Sequence, residues 1–147
     1  AMQGGGVAMV APAADVAATA GSGEWQPFSV AALDASLKAG HPVIVDWTAS
    51  WCINCHWLEA VVLSTDEVRD SFRTSGAVLL RADLSTDNPP ATALNRKLGG
   101  ESIPVLAIFS PARPEQPVVL RDSYSKAGVV RALAAARLDN LKGGGRF

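Results

Sequence analysis

Cysteine, histidine and methionine occur only twice each in this chain of 147 residues, and tyrosine only once. Two cysteines cannot build the several bridges of a disulfide-stapled secreted scaffold. Charge of one sign is also missing: thirteen basic residues face fourteen acidic ones, for a formal net charge of -1. That balance removes any electrostatic reason to expect nucleic acid or an anionic membrane surface as a partner. Long apolar runs are absent too. Val7-Ala8-Met9-Val10-Ala11 is too short and too alanine-rich to cross a bilayer, and no basic residue precedes it. Neither a signal peptide nor a membrane span is therefore expected, and no internal repeat is visible. What is present, 48% hydrophobic and 18% charged residues, describes one globular domain with a real core.

The most informative stretch runs from Val43 to Glu59. Val43 to Thr48 is a mostly apolar, β-branched run of the length of a buried strand, and it leads into Cys52-Ile53-Asn54-Cys55. From Cys52 the pattern becomes helical. Cys52, Cys55 and Glu59 fall at i, i+3 and i+7, which puts both thiols and one carboxylate on one helix face. Unpaired N–H groups and the positive end of the helix dipole stabilise a thiolate at the first turn. Cys52 is thus the candidate nucleophile. Cys55, one turn deeper, is placed to resolve a mixed disulfide by attacking Cys52.

A CxxC has two other uses. Structural zinc needs four ligands, and only His41 and His56 could add nitrogens. His41 precedes the strand that Cys52 follows, which separates them by roughly 20 Å of extended chain. Cys52-Ile53-Asn54-Cys55-His56 also fits the CxxCH haem-attachment pattern literally. Both methionines, Met2 and Met9, lie in the presumed linker, however, which leaves no obvious second axial ligand. No cofactor and no metal are expected, and His56 reads as a solvent-side helix residue.

The remaining elements follow in order. Residues 1–23 read as a flexible linker or a segment added ahead of the domain. Trp25 to Phe28 suits an edge strand because of Pro27. Ser29 can cap a helix through Ala39 with Val30, Leu33 and Leu37 along one face. Asp66 can cap a short helix carrying Val68 and Phe72 that ends near Gly76, and Ala77 to Leu84 reads as a second strand. Asn88-Pro89-Pro90 opens a helix with Leu94 and Leu98 inward. Val105 to Phe109 is a strand, Pro111 to Pro117 a turn, and Val118 to Arg121 the last strand. Lys126 to Leu138 is a terminal helix with Val129, Val130 and Leu133 inward, and residues 141–147 form a tail. Trp47, Trp51 and Trp57 are expected in core and rim packing, with Trp51 shielding the disulfide.

This order is α/β with a mixed central sheet flanked by helices. The chain from about Glu24 to Asn140 resembles a thioredoxin-fold domain, and more narrowly the C-terminal periplasmic domain of the DsbD family of transmembrane thiol:disulfide interchange proteins. The resemblance rests on Asp46, Trp51, Cys52, Cys55, Glu59 and Ile103-Pro104. Ser50 departs from the acidic residue often found before that tryptophan, and Ile53-Asn54 from thioredoxin's own proline-containing CxxC.

The resemblance implies a thiol:disulfide oxidoreductase, a protein-disulfide reductase that takes electrons from a membrane-embedded donor domain. It would pass them to periplasmic disulfide-containing partners, on the periplasmic side of a bacterial inner membrane, as a soluble domain of a larger membrane protein. It also implies that Pro104 is a cis-proline against the active site, so that Trp51, Ile103 and Pro104 meet the partner. Asp46 and Glu59 would modulate the thiols, a carboxylate accepting the Cys55 proton during resolution while its charge raises thiol pKa. A second function class is a thioredoxin-fold binding or chaperone-like module whose CxxC is merely structural. Cysteine reactivity separates the two.

Overall fold

The computed structural model describes residues 12–145, with the backbone alone from 138 onward. The linker reading of residues 1–11 and the tail reading of residues 146 and 147 lie outside the described residues.

Three central strands carry the fold: β2 (Val43–Thr48), β3 (Val78–Asp83) and β4 (Val105–Ser110). Each is apolar on both faces, as a strand covered by helices on both sides must be. Alternation then sorts their side chains. Val43, Val45 and Trp47 join Val78, Leu80, Ala82, Val105, Ala107 and Phe109 in one core layer. Ile44 joins Leu79, Leu106 and Ile108 in the other. The first layer is covered by α1 (Ala13–Ala17), α2 (Val30–Lys38) and α5 (Pro89–Lys97); the second by α3 (Ile53–Leu58), α4 (Asp66–Ser75) and α6 (Lys126–Gly145).

Two edge strands, β1 (Trp25–Pro27) and β5 (Arg113–Arg121), complete a five-stranded sheet in the order β1-β3-β2-β4-β5. β1 and β2 both run parallel to β3, whereas β4 is antiparallel to β2 and to β5. This mixed sheet with helices on both faces is the thioredoxin fold. Trp47, fully buried, donates its indole N–H to the Ala91 carbonyl at 2.8 Å and so ties α5 to the central strand. No helix among the described residues is long and apolar enough to cross a membrane.

Several elements differ from the sequence reading. Residues 13–17, expected within a flexible linker, form α1, whose Val16 is buried against the first core layer. The Gly21 N–H donates to the Ala77 carbonyl at 3.0 Å and fastens the following turn to the start of β3. A single valine among alanines gave composition little to weigh, yet one docked side chain suffices to order a short helix against an existing core.

Val30, expected to face inward, is exposed, because the buried side of α2 is Ala32, Leu33 and Ser36. Thr65, not Asp66, holds the N-cap position of α4, its hydroxyl donating back to the Val62 carbonyl, with Asp66 in the first turn. β5 begins at Arg113, not Val118. Ser110 pairs with Arg113, which leaves a two-residue hairpin turn, and Pro114 and Pro117 fall within the register shift between that pair and Ile108–Val118, on an edge strand where proline is tolerated. α6 continues past Leu138 to Gly145, since extending a helix costs much less than nucleating one.

Candidate active site

The cysteines stand where β2 hands the chain to α3. Cys52 is the N-cap of α3 and accepts the Cys55 N–H on its sulfur at 3.2 Å. The two are joined in a disulfide with Cα atoms 5.3 Å apart. They pack with Ala49, Leu84 and Ile103 in a small apolar cluster. Ile103 is followed by Pro104 across a cis peptide bond, so the predicted residues Cys52, Cys55, Ile103 and Pro104 are brought together. The Cys55 sulfur also lies 4.0 Å from the Trp47 carbonyl oxygen, one residue beyond Asp46.

The turn bearing Cys52 is tied from both sides. Ser50 donates its N–H to Ser85 Oγ at 2.7 Å, and its carbonyl oxygen lies 2.9 Å from His56 Nε2. Ser85 in turn donates to Asp83, which holds that carboxyl below its usual range. His56 is exposed, as its helix position predicts.

Trp57 takes the rim side of the expected core and rim packing. It is 59% exposed, along with Ile53 at 82% and Trp51 at 65%. Cys55 and Leu58 occupy the inward side of α3. Ile53 and Trp57, four residues apart, therefore share the outward side and stand beside Trp51 as an apolar rim.

On β2, the strand that leads to the cysteines, Asp46 begins a polar cluster in which it is buried and its partners are partly exposed. Alternation along β2 turns Asp46 toward the same core layer as Ile44, and it is 3% exposed. Its register partner on β3 is Arg81, whose Nε sits 3.9 Å from Asp46 Oδ2. The same guanidinium donates through Nη2 to both carboxylate oxygens of Glu59, at 3.1 and 3.0 Å. It also lies 4.8 Å above the Trp25 ring.

Glu59 closes α3, its N–H donating to the Cys55 carbonyl, and the helix loses α-helical phase only beyond it. Residues Glu59–Leu63 form a π turn in which the Ser64 N–H donates to the Glu59 carbonyl at 2.8 Å. Asp46 and Glu59 are thus joined through one arginine.

Burial raises the Asp46 pKa to about 7; Arg81 opposes that shift and Glu59 adds to it. The Tyr124 phenol is raised above its ordinary value by burial, and further by the charges of Asp46 and Glu59. Arg81 and Tyr124 escaped the sequence reading. For Arg81 a signal existed: one cation inside the apolar run Val78–Ala82 calls for a buried partner. Tyr124 left none, because only the packing of the segment after β5 brings it here. A carboxyl that is half protonated near neutrality can take up or return one proton at physiological pH.

The thioredoxin-like family matches residues 24–111 of this chain. Among curated relatives, thiol:disulfide interchange protein DsbD 1 of Pseudomonas aeruginosa is 37% identical over 98 residues, covering 63% of this chain and 16% of the relative. DsbD of Klebsiella pneumoniae is 33% identical over 90 residues, covering 60% and 15% respectively. The chain thus spans about a sixth of these relatives' length. Among solved structures, the oxidised C-terminal domain of Neisseria meningitidis DsbD superposes with a TM-score of 0.60 at 21% identity, covering 87% of this chain and 98% of that domain. A thioredoxin from Thermus thermophilus gives 0.60 at 23% identity, covering 84% and 91%. With its paired CxxC cysteines and its thioredoxin fold, the chain belongs to the thioredoxin-like family.

Proposed function

We propose that this chain is a thiol:disulfide oxidoreductase domain that reduces protein disulfides, relaying electrons from a membrane-embedded donor domain to periplasmic partners. The observation that carries the reading is the Cys52–Cys55 pair at the start of α3, closed in a disulfide beside Ile103 and Pro104. Likeness to DsbD proteins supports the donor, the partners and the periplasmic setting.

In the reduced domain, Cys52 is the attacking thiolate, favoured by the Cys55 N–H and the helix dipole. It bonds to one sulfur of the partner's disulfide, and the other sulfur leaves as a thiolate. Cys55 then loses its proton to Asp46 and attacks the Cys52 sulfur. The second partner sulfur departs, two electrons have passed to the partner, and Cys52–Cys55 is left oxidised for re-reduction by the donor. Glu59 acts through Arg81 on the charge that Asp46 meets. Trp51, Ile103 and Pro104 form the surface against which the partner lies.

The test is reduction of a protein disulfide by the wild-type chain and by its cysteine variants. Cys52→Ser should abolish turnover, whereas Cys55→Ser should accumulate a mixed disulfide with the partner; undiminished turnover in Cys52→Ser sinks the mechanism. Direction is read from the equilibrium potential of the pair. A value near thioredoxin's roughly -270 mV identifies an electron donor, and one near roughly -120 mV an oxidant.

A further inference from the structure

The segment Ser102–Ile103–Pro104 beside the disulfide is fastened from three directions. Asn95 on α5, 1% exposed, donates its amide N–H to the Ser102 carbonyl at 3.2 Å. Arg121, the last residue of β5, donates to the same carbonyl at 3.2 Å and to Ser102 Oγ at 3.5 Å. Asp122, next in the chain, accepts the Ser102 hydroxyl on Oδ1 at 3.1 Å and donates its own N–H to the Pro104 carbonyl at 2.9 Å. Gly100 leaves room for this arrangement, since a Cβ there would lie 2.9 Å from Arg121 Nη1.

Asp122 is also the one non-glycine residue among the described residues with a left-handed backbone, at φ 73°. Glycine adopts that conformation without strain, whereas aspartate accepts it at some cost. An aspartate there keeps a carboxylate aimed at Ser102, which glycine would not. The amide and the carboxylate of one residue thus grip both ends of the segment, which Asn95 and Arg121 hold only at Ser102.

We infer that Asp122 is a positioning residue for partner docking: it clamps Ser102 and Pro104 so that the segment presents a fixed surface to an incoming protein disulfide. The inference rests on the proposed reductase reading and adds a residue to it. The clamp touches neither sulfur. Its loss therefore weakens binding of a large partner, which must align along the segment, and leaves exchange with a small disulfide in place.

The experiment measures steady-state reduction of insulin and of oxidised glutathione by the wild-type chain, with dithiothreitol as electron source. Asp122→Gly suits the test because it keeps the backbone conformation and removes only the carboxylate. Its KM for insulin should rise threefold to tenfold, about 0.7 to 1.4 kcal/mol, with kcat within twofold and the glutathione rate within twofold of wild type. Asp122→Asn retains the acceptor oxygen and should behave as wild type. Ser102→Ala should reproduce the rise in KM, and the double variant should be no worse than either single, as expected for one shared contact. An unchanged insulin KM in Asp122→Gly, or equal losses on both probes, overturns the clamp while leaving the reductase reading intact. A wild-type chain that reduces neither probe overturns both. Should Asp122→Gly fold poorly, Ser102→Ala alone decides by the same criteria.

Discussion

Replacing Asp46 by asparagine separates what its charge costs from what its shape supplies. Burial raises this carboxyl from 3.8 to about 7, against the pull of Arg81. The folded chain therefore holds a proton between those values that the unfolded chain has already lost. A group raised in this way stabilises fully below the unfolded value, and that contribution disappears as pH rises through about 7. The span corresponds to about 4 kcal/mol as an upper bound, because relaxation and water entry soften burial penalties. Asparagine is close in size and uncharged, so its variant has no such loss.

The assay is guanidinium unfolding of the oxidised wild-type chain and of Asp46→Asn at pH 4 and pH 8.5. Subtracting the variant from the wild type at each pH cancels every other titrating group that the two share. Between pH 4 and pH 8.5 the variant should gain about 2 to 4 kcal/mol on the wild type. A wild-type-minus-variant difference equal at both pH values would show that Asp46 titrates in the folded chain as it does in the unfolded one, which would leave it too weak a base for the Cys55 proton.

Two further outcomes follow from the same structure. Arg81→Gln should destabilise the fold by about 1 to 2 kcal/mol, a figure discounted for the partial exposure of Arg81 and Glu59. It should also move the Asp46 titration above about 7, since Arg81 is the cation holding it down; pH-resolved unfolding reads both, and an unmoved titration refutes the link. Val16→Ala should cost about 1 to 2 kcal/mol in denaturant unfolding, because it empties the site where α1 meets the first core layer. No loss would mean that α1 contributes nothing to the fold.

Much of the architecture could be read from local pattern. Val43–Thr48 is a strand because its branched, apolar residues fit only between two covered faces, and Cys52-Ile53-Asn54-Cys55 follows it where the period changes. Ser29 and Asn88 cap their helices as their side chains predict, each accepting a backbone N–H three residues on. Where the reading went astray, the deciding contacts were distant ones. Val16 is ordered by α2 and the sheet, and β5 extends across Pro114 and Pro117 because a register shift leaves both outside the ladder while Arg113 and Val118 pair on either side.

For the candidate site, the sequence by itself determined the chemistry on offer: two thiols three residues apart at a helix start, a carboxyl on the strand before them, and a glutamate after them. Those facts depend on spacing along one continuous stretch, where helix and strand periods set direction. Tertiary structure alone decided which groups gather around Asp46. Arg81 reaches Asp46 through the parallel register of β2 with β3, Glu59 meets Arg81 from the end of α3, and Tyr124 arrives after β5. Asp122 meets Ser102 twenty residues back along the chain. Such pairings come from strand register and layer packing, which are properties of the whole sheet and leave no periodic trace in a single stretch of sequence.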